Sequence, residues 1–232
     1  AATPPETPRF RCRAVLFDLD GTLLDTLPDI AAAVDRTLLG LSLPVAGPLR
    51  VRGWVGNGVK LLMERALRHA GADPAATLQP ALEAFAAHYA EDYTQRSTLY
   101  PGVAATLPAL AARGLALAVC TNKPRRFVAP LLDHFGIGSY FSALVSGDTL
   151  PRQKPDPAPL LHLAGRLGLP AADCLVVGDS RNDVQAARAA GMAVAAVSYG
   201  YNHGEDIRDS HPDAVMATLA ELPRLIAQEP GG

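Results

Sequence analysis

Cysteine is scarce in this chain: three residues of 232, Cys12, Cys120 and Cys174. An odd count with no CxxC spacing excludes a disulfide framework and a cysteine zinc site, and leaves buried thiols acting as small hydrophobes. The six histidines contain no HExxH and no paired ligand spacing. Long hydrophobic runs are missing too. Stretches such as Leu115–Cys120 and Met192–Val197 are far shorter than the ~20 residues that span a bilayer as a helix. A formal net charge of -2 gives no pull toward nucleic acid or anionic lipid. There is no internal repeat. The opening AATPPETPRF is polar and proline-rich, lacks the apolar region of a signal peptide, and reads as a loose leader; the closing Pro230-Gly231-Gly232 is the other biased stretch. The expectation is a cytoplasmic monomer or homodimer with no nucleic-acid or membrane partner.

What the chain does have is an ordinary globular composition, 49% hydrophobic and 19% charged, and a length that suits one large domain or one domain carrying an insert. Short apolar runs recur at Arg13–Phe17, Leu115–Cys120, Ala143–Ser146, Cys174–Val177, Met192–Val197 and Asp213–Met216. They are continuous rather than alternating, which suits strands buried on both faces. Helical segments lie between them, at Val103–Arg113 with Gly114 as a C-terminal cap and at Ser180–Ala190 closed by Gly191. The pattern predicts an α/β fold: a Rossmann-like parallel sheet with helices on both faces. From about Leu27 to Arg96 the rhythm breaks. Pro28–Leu39, Val59–Ala70 and Ala75–Gln95 carry helical apolar spacing, the last weakened near its start by Pro80. The expected organisation is an α/β core over 1–26 and 97–232, with an all-helical cap over 27–96 standing over the site as a lid.

In open α/β sheets ligands bind beyond the carboxyl ends of the strands. The first run ends in Asp18-Leu19-Asp20-Gly21-Thr22, the second in Thr121-Asn122-Lys123, and a later one in Gly178-Asp179-Ser180, with Asp183 following; Lys154-Pro155-Asp156 precedes another helix. Only three lysines stand against eighteen arginines, and two of the three, Lys123 and Lys154, fall in these segments. Asp18, Asp20, Asp179 and Asp183 gathered together would repel one another without a cation. Hard oxygen ligands suit Mg²⁺, which tolerates few carboxylates and keeps room for water and phosphate. Thr121, Asn122 and the N–H groups of the helix starting at Pro124 can hold phosphate oxygens, and Lys154 adds positive charge. Each piece has a plainer reading: an aspartate before a helix is often a cap, Thr-Asn an ordinary turn, a lysine a solvated side chain. Their joint occurrence in order at strand ends favours the chemical one.

The run Val15–Leu23 resembles the first signature of the haloacid dehalogenase superfamily; Thr121-Asn122 resembles its second, Lys154 its third, and Gly178–Asp183 its fourth. The resemblance covers almost the whole chain. It implies Asp18 as a nucleophile forming an aspartyl-phosphate, and Asp20 as the acid that protonates the leaving oxygen and then the base toward water. It also implies Mg²⁺ held by Asp18, the Asp20 carbonyl and Asp179. Asp183 would act through a metal-bound water or by orienting Lys154. Thr121, Asn122 and Lys154 would bind the phosphoryl group. An acid at position 20 separates phosphomonoesterases from dehalogenases and phosphonate-cleaving relatives. The segment Arg52–Val59, with Gly56, Asn57 and Gly58, is similar to the corresponding loop of bacterial phosphoglycolate phosphatases, as is the Tyr100–Val103 return to the core. The expected substrate is a small phosphorylated metabolite, 2-phosphoglycolate first. Another small phosphate ester, a phosphosugar mutase and a non-catalytic phosphate sensor remain as alternatives.

Overall fold

The computed structural model describes residues 9–227; most of the proline-rich leader, and the final Pro-Gly-Gly, lie outside the described residues. Its elements run β1 (Ala14–Phe17), β2 (Leu24–Asp25), α1 (Leu27–Gly40), α2 (Pro48–Arg52), α3 (Gly58–His69), α4 (Pro74–Asp92), β3 (Thr98–Leu99), α5 (Val103–Ala112), β4 (Ala116–Cys120), α6 (Arg125–His134), β5 (Phe141–Val145), α7 (Ala158–Leu167), β6 (Cys174–Gly178), α8 (Arg181–Ala190), β7 (Ala193–Val197), β8 (Ala214–Met216) and α9 (Leu222–Leu225).

Six strands form one parallel sheet in the order β5-β4-β1-β6-β7-β8. The continuous apolar strands are explained by what covers them. In β1 every residue is buried. Val15 and Phe17 point into one core with Val103, Leu107 and Leu110 of α5 and Phe127, Val128 and Leu131 of α6. Ala14 and Leu16 point the other way, against Leu160 and Leu163 of α7 and Val184 and Ala187 of α8. This is the period-2 alternation of a strand clad on both faces. Truncating Phe17 to Ala would cost about 3–5 kcal/mol, as for other fully buried aromatics. The cysteines are free; Cys120 and Cys174 are buried, and burial pushes the Cys120 thiol up to about 12. No helix among the described residues is long and apolar enough to cross a membrane.

The helices α1–α4 form the insertion, with α1 and α3 both packed on α4. α4 begins earlier than its apolar spacing suggests, because Asp73 accepts from the Ala75 N–H at 3.0 Å and Pro74 occupies the first helical turn. Pro80 is carried inside this helix. Two features escape the sequence reading. α2 has five residues, too few for a periodic signal. The two connections to the insertion pair as β2 and β3, antiparallel, Leu24 opposite Leu99 and Asp25 opposite Thr98. Beside them the buried Asp29 accepts from the N–H groups of Arg96 and Ser97 and from the Ser97 hydroxyl.

Candidate active site

The sheet order makes the site. β1 is central, with β4 on one side and β6 on the other, and Phe17 lies in register with both Val119 and Val177. Going outward from β1 the chain steps in opposite directions, which opens a crevice at the carboxyl ends. Asp18, Thr121 and Asp179 each stand one residue past one of these three strands, so parallel pairing brings them to one edge, Thr121 and Asp179 one residue further along than Asp18.

One oxygen each from Asp18, Asp179 and Asp183 fits within 4.8 Å of the others. Lys154 Nζ closes the group: it donates to Asp183 Oδ1 at 2.6 Å and to the Cys120 carbonyl at 2.6 Å, and lies 3.0 Å from Asp18 Oδ1. Asp183 Oδ2 accepts from the N–H and hydroxyl of Ser180, at 3.1 and 2.9 Å. Both Asp183 oxygens thus have partners within the protein, and one of them aligns Lys154. Asp179 accepts from the Thr22 hydroxyl at 2.8 Å and from the Tyr201 N–H at 2.6 Å. Close approach here needs glycine. A Cβ on Gly21, which has φ +91°, would lie 2.3 Å from Asp179 Oδ2, and one on Gly200 would lie 2.2 Å from the Asp179 Cβ.

The carboxylates strain against their own neighbours. Burial raises the Asp18 pKa to about 7; Lys154 and the Leu19 N–H oppose this, while Asp183 and Asp20 add to it. Burial also lifts Asp179 well above the usual carboxylate range, aided by the charges of Asp18 and Asp183. Burial works against the ammonium of Lys154, but Asp18 and Asp183 outweigh it and hold its pKa above the ordinary lysine value. A cluster that raises its own acid pKa values in spite of one lysine needs further positive charge. Three hard oxygen donors in a glycine-lined recess fit a divalent cation of the Mg²⁺ type.

Asp20 is held apart from that cluster. Its carboxylate accepts from the Thr26 hydroxyl at 2.6 Å and from Lys123 Nζ at 3.0 and 3.2 Å. Lys123 also donates to Tyr89 Oη of α4 at 2.8 Å and lies 4.7 Å from the centre of that ring. Burial lowers the Lys123 pKa, but Asp20 and Tyr89 more than reverse it. Thr121 Oγ1 accepts from the Lys123 N–H at 3.1 Å, leaving its own proton to donate.

Asn122 behaves differently from a free amide. Its Nδ2 donates to the carbonyls of Gly56 and Lys154, at 3.0 and 2.9 Å, and its Oδ1 accepts from the Lys154 N–H at 3.0 Å. Both side-chain donors are therefore taken by main chain. The helix expected to begin at Pro124 runs from Arg125; its Arg125 N–H goes to Asp148 and its Phe127 N–H to the Pro124 carbonyl.

The loop between α2 and α3 docks on the core. Gly56 O accepts from both Asn122 and Asn182, the latter at 3.2 Å; Arg52 reaches the carbonyls of Tyr199 and Gly200, at 3.1 and 2.7 Å; His203 Nδ1 lies 3.2 Å from Gly53 O. Gly56 and Gly58 line a cavity with Asp18, Asp20, Thr121, Asn122 and Lys123, walled by apolar side chains including Val55, Val59, Leu62, Phe85 and Phe127. The centres of water-sized molecules have about 50 Å³ open to them there. The Asn57 side chain instead accepts from Arg65 at 3.1 Å. Trp54 packs against His69 with the rings tilted by 56° and centroids 5.4 Å apart, and Lys60 is exposed.

Known proteins share this arrangement over nearly the whole chain. A phosphoglycolate phosphatase of Pectobacterium atrosepticum is 50% identical over 215 residues, 92% of each chain. One from Yersinia pseudotuberculosis is 51% identical over 211 residues, 90% of this chain and 91% of that one. The crystal structure of a predicted phosphoglycolate phosphatase from Haemophilus somnus matches with a TM-score of 0.89 and 40% identity, across 92% of this chain and 97% of that one. Residues 12–191 match the haloacid dehalogenase-like hydrolase family. With the four ordered segments meeting at one sheet edge, the chain belongs to that family of hydrolases.

Proposed function

We propose that the protein is a Mg²⁺-dependent phosphatase that hydrolyses 2-phosphoglycolate to glycolate and phosphate, with residues 27–96 as its cap. The observation that carries the reading is the division of labour between two aspartates two residues apart. Asp18 sits with Asp179, Asp183 and Lys154, whereas Asp20 sits to the side with Lys123 and Thr26.

In this reading an Asp18 oxygen attacks phosphorus, the bond to the bridging oxygen breaks, and Asp20 gives that oxygen a proton, releasing glycolate. Water then attacks the phosphorus of the aspartyl-phosphate. Asp20 takes its proton, and phosphate departs as the Asp18 carboxylate is restored. Thr121, the main chain of Asn122, and Lys154 bind the phosphoryl oxygens. Asp18, the Asp20 carbonyl and Asp179 hold Mg²⁺, with Asp183 setting Lys154; the ion supplies the positive charge that lets an anionic ester approach anionic carboxylates.

The substrate is argued from size and from relatives. A cavity of about 50 Å³ under the docked loop has room for the centres of only a few water molecules, which suits a two-carbon ester over a nucleotide. Relatives near 50% identity carry the name phosphoglycolate phosphatase. The test is a phosphate-release screen with Mg²⁺ over 2-phosphoglycolate, sugar phosphates, nucleotides and pyrophosphate, with Asp18→Asn alongside. The expected outcome is preference for 2-phosphoglycolate and no turnover by D18N. Full activity in D18N would end the nucleophile assignment.

A further inference from the structure

We propose that Lys123 is the residue that binds the carboxylate of the substrate and thereby sets specificity, an inference that rests on the phosphoglycolate reading above. Among the residues that line the cavity, Lys123 is the one cation; the rest of the wall away from Asp18 and Asp20 is largely apolar or main chain. It is buried, at 6% exposure, and a buried ammonium costs much unless it is well partnered. Among the described residues its Nζ hydrogen bonds go to Asp20 and Tyr89. An ammonium has three N–H donors, and a substrate carboxylate would take over the one now given to Asp20 Oδ2 at 3.2 Å, the longest of its three hydrogen bonds.

Position supplies the second argument. If Asp20 serves the bridging oxygen of the ester, Nζ stands 3.0 Å beyond that carboxylate, on the leaving-group side of the phosphorus. In 2-phosphoglycolate the carboxylate carbon is two bonds from the bridging oxygen. A group so close to the leaving atom, in a cavity this small, has Lys123 as its cationic neighbour, while Lys154 is engaged on the other side by Asp18, Asp183 and Cys120 O. The apolar walls from Val55, Val59, Leu62 and Phe85 offer an anion nothing, and strengthen its attraction to the single ammonium by excluding water.

Lys123 also touches Asp20, so its loss slows every ester. The informative quantity is a ratio: kcat/KM for 2-phosphoglycolate over kcat/KM for 2-hydroxyethyl phosphate, which replaces the carboxylate by CH₂OH. The wild-type ratio is expected to be well above one. Lys123→Met should lower it by about 10- to 100-fold, the scale of one charge-assisted hydrogen bond, chiefly through KM, and Lys123→Arg should keep much of it. If Lys123→Met does not fold, Tyr89→Phe, which removes the hydroxyl steadying Nζ and leaves the ring packing, should lower the ratio by about threefold or more. A ratio unchanged in whichever variant folds would overturn the assignment and leave Lys123 as a prop for Asp20. A wild-type protein that turns over 2-hydroxyethyl phosphate but not 2-phosphoglycolate would overturn the substrate reading and this inference together; the variants separate the two failures.

Discussion

Replacing Asp29 by Ala strikes the point where the insertion returns to the core. The Asp29 side chain is fully buried in the first turn of α1. Its Oδ2 accepts from Ser97 N at 2.8 Å, Ser97 Oγ at 2.7 Å and Arg96 N at 3.0 Å. The Arg96 guanidinium, 3.4 Å from Oδ1, is about half exposed and adds little after screening. Asp29→Ala leaves two N–H groups without their acceptor, while the Ser97 hydroxyl keeps the Tyr93 carbonyl at 3.2 Å. At roughly 1–3 kcal/mol for each of the two orphans, the loss is about 2–6 kcal/mol. That is a large share of the ~5–15 kcal/mol that holds a typical domain together. Equilibrium urea unfolding checks it: with a slope of about 3 kcal/mol/M, the midpoint should fall by about 1–2 M. The single tryptophan, Trp54, lies in the insertion, so its fluorescence should shift at lower urea than the far-UV circular dichroism. Asp29→Asn, which keeps one acceptor oxygen, should lose about half as much. An Asp29→Ala protein within about 1 kcal/mol of wild type by both signals would refute the reasoning.

Gly200→Ala should push Asp179 out of place, raising the Mg²⁺ concentration for half-maximal activity at least tenfold while costing about 1–3 kcal/mol of stability; an unchanged Mg²⁺ requirement would contradict the close approach described for that glycine. The metal-free protein carries a second signature. Because the folded Asp18 titrates near 7 and an unfolded aspartate near 4, the folded state binds the extra proton between those values. Its stability in EDTA should therefore be highest below about pH 4 on this account and decline as pH rises toward 7, with Mg²⁺ reversing the decline; a melting temperature rising across that window would argue against it. Asn182→Ala removes one of the two amides holding the Gly56 carbonyl and should raise KM about threefold, or more, with less effect on kcat; steady-state kinetics with equal KM would show that the docking bond is idle.

The core was readable because parallel strands buried on both faces must be continuously apolar. Val15, Phe17, Val119 and Val177 announce their strands, and side chains just past those strands form the candidate site. Caps were readable where glycine takes a left-handed turn, as at Gly191 with φ 70°. Non-local pairings left no local signal. Lys123 meets Tyr89 across 34 positions, and nothing in either segment marks the pair, although the scarcity of lysine singled out position 123. That the Asn122 side-chain amide is given to the carbonyls of Gly56 and Lys154 has no local signal either. β2 and β3 have two residues each and carry no periodicity at all.

The ladder between β2 and β3 places the outgoing and returning chain side by side, Leu24 facing Leu99. An insert whose two ends emerge a single strand spacing apart, about 5 Å, imposes no length or shape on what lies between them. The helices above the sheet are therefore tied to the aspartates beneath by side contacts such as Tyr89 on Lys123 and the Gly56 carbonyl on Asn122, rather than by the geometry of their attachment. Such an attachment lets one reaction centre be fitted to new leaving groups by changing the upper storey together with those contacts.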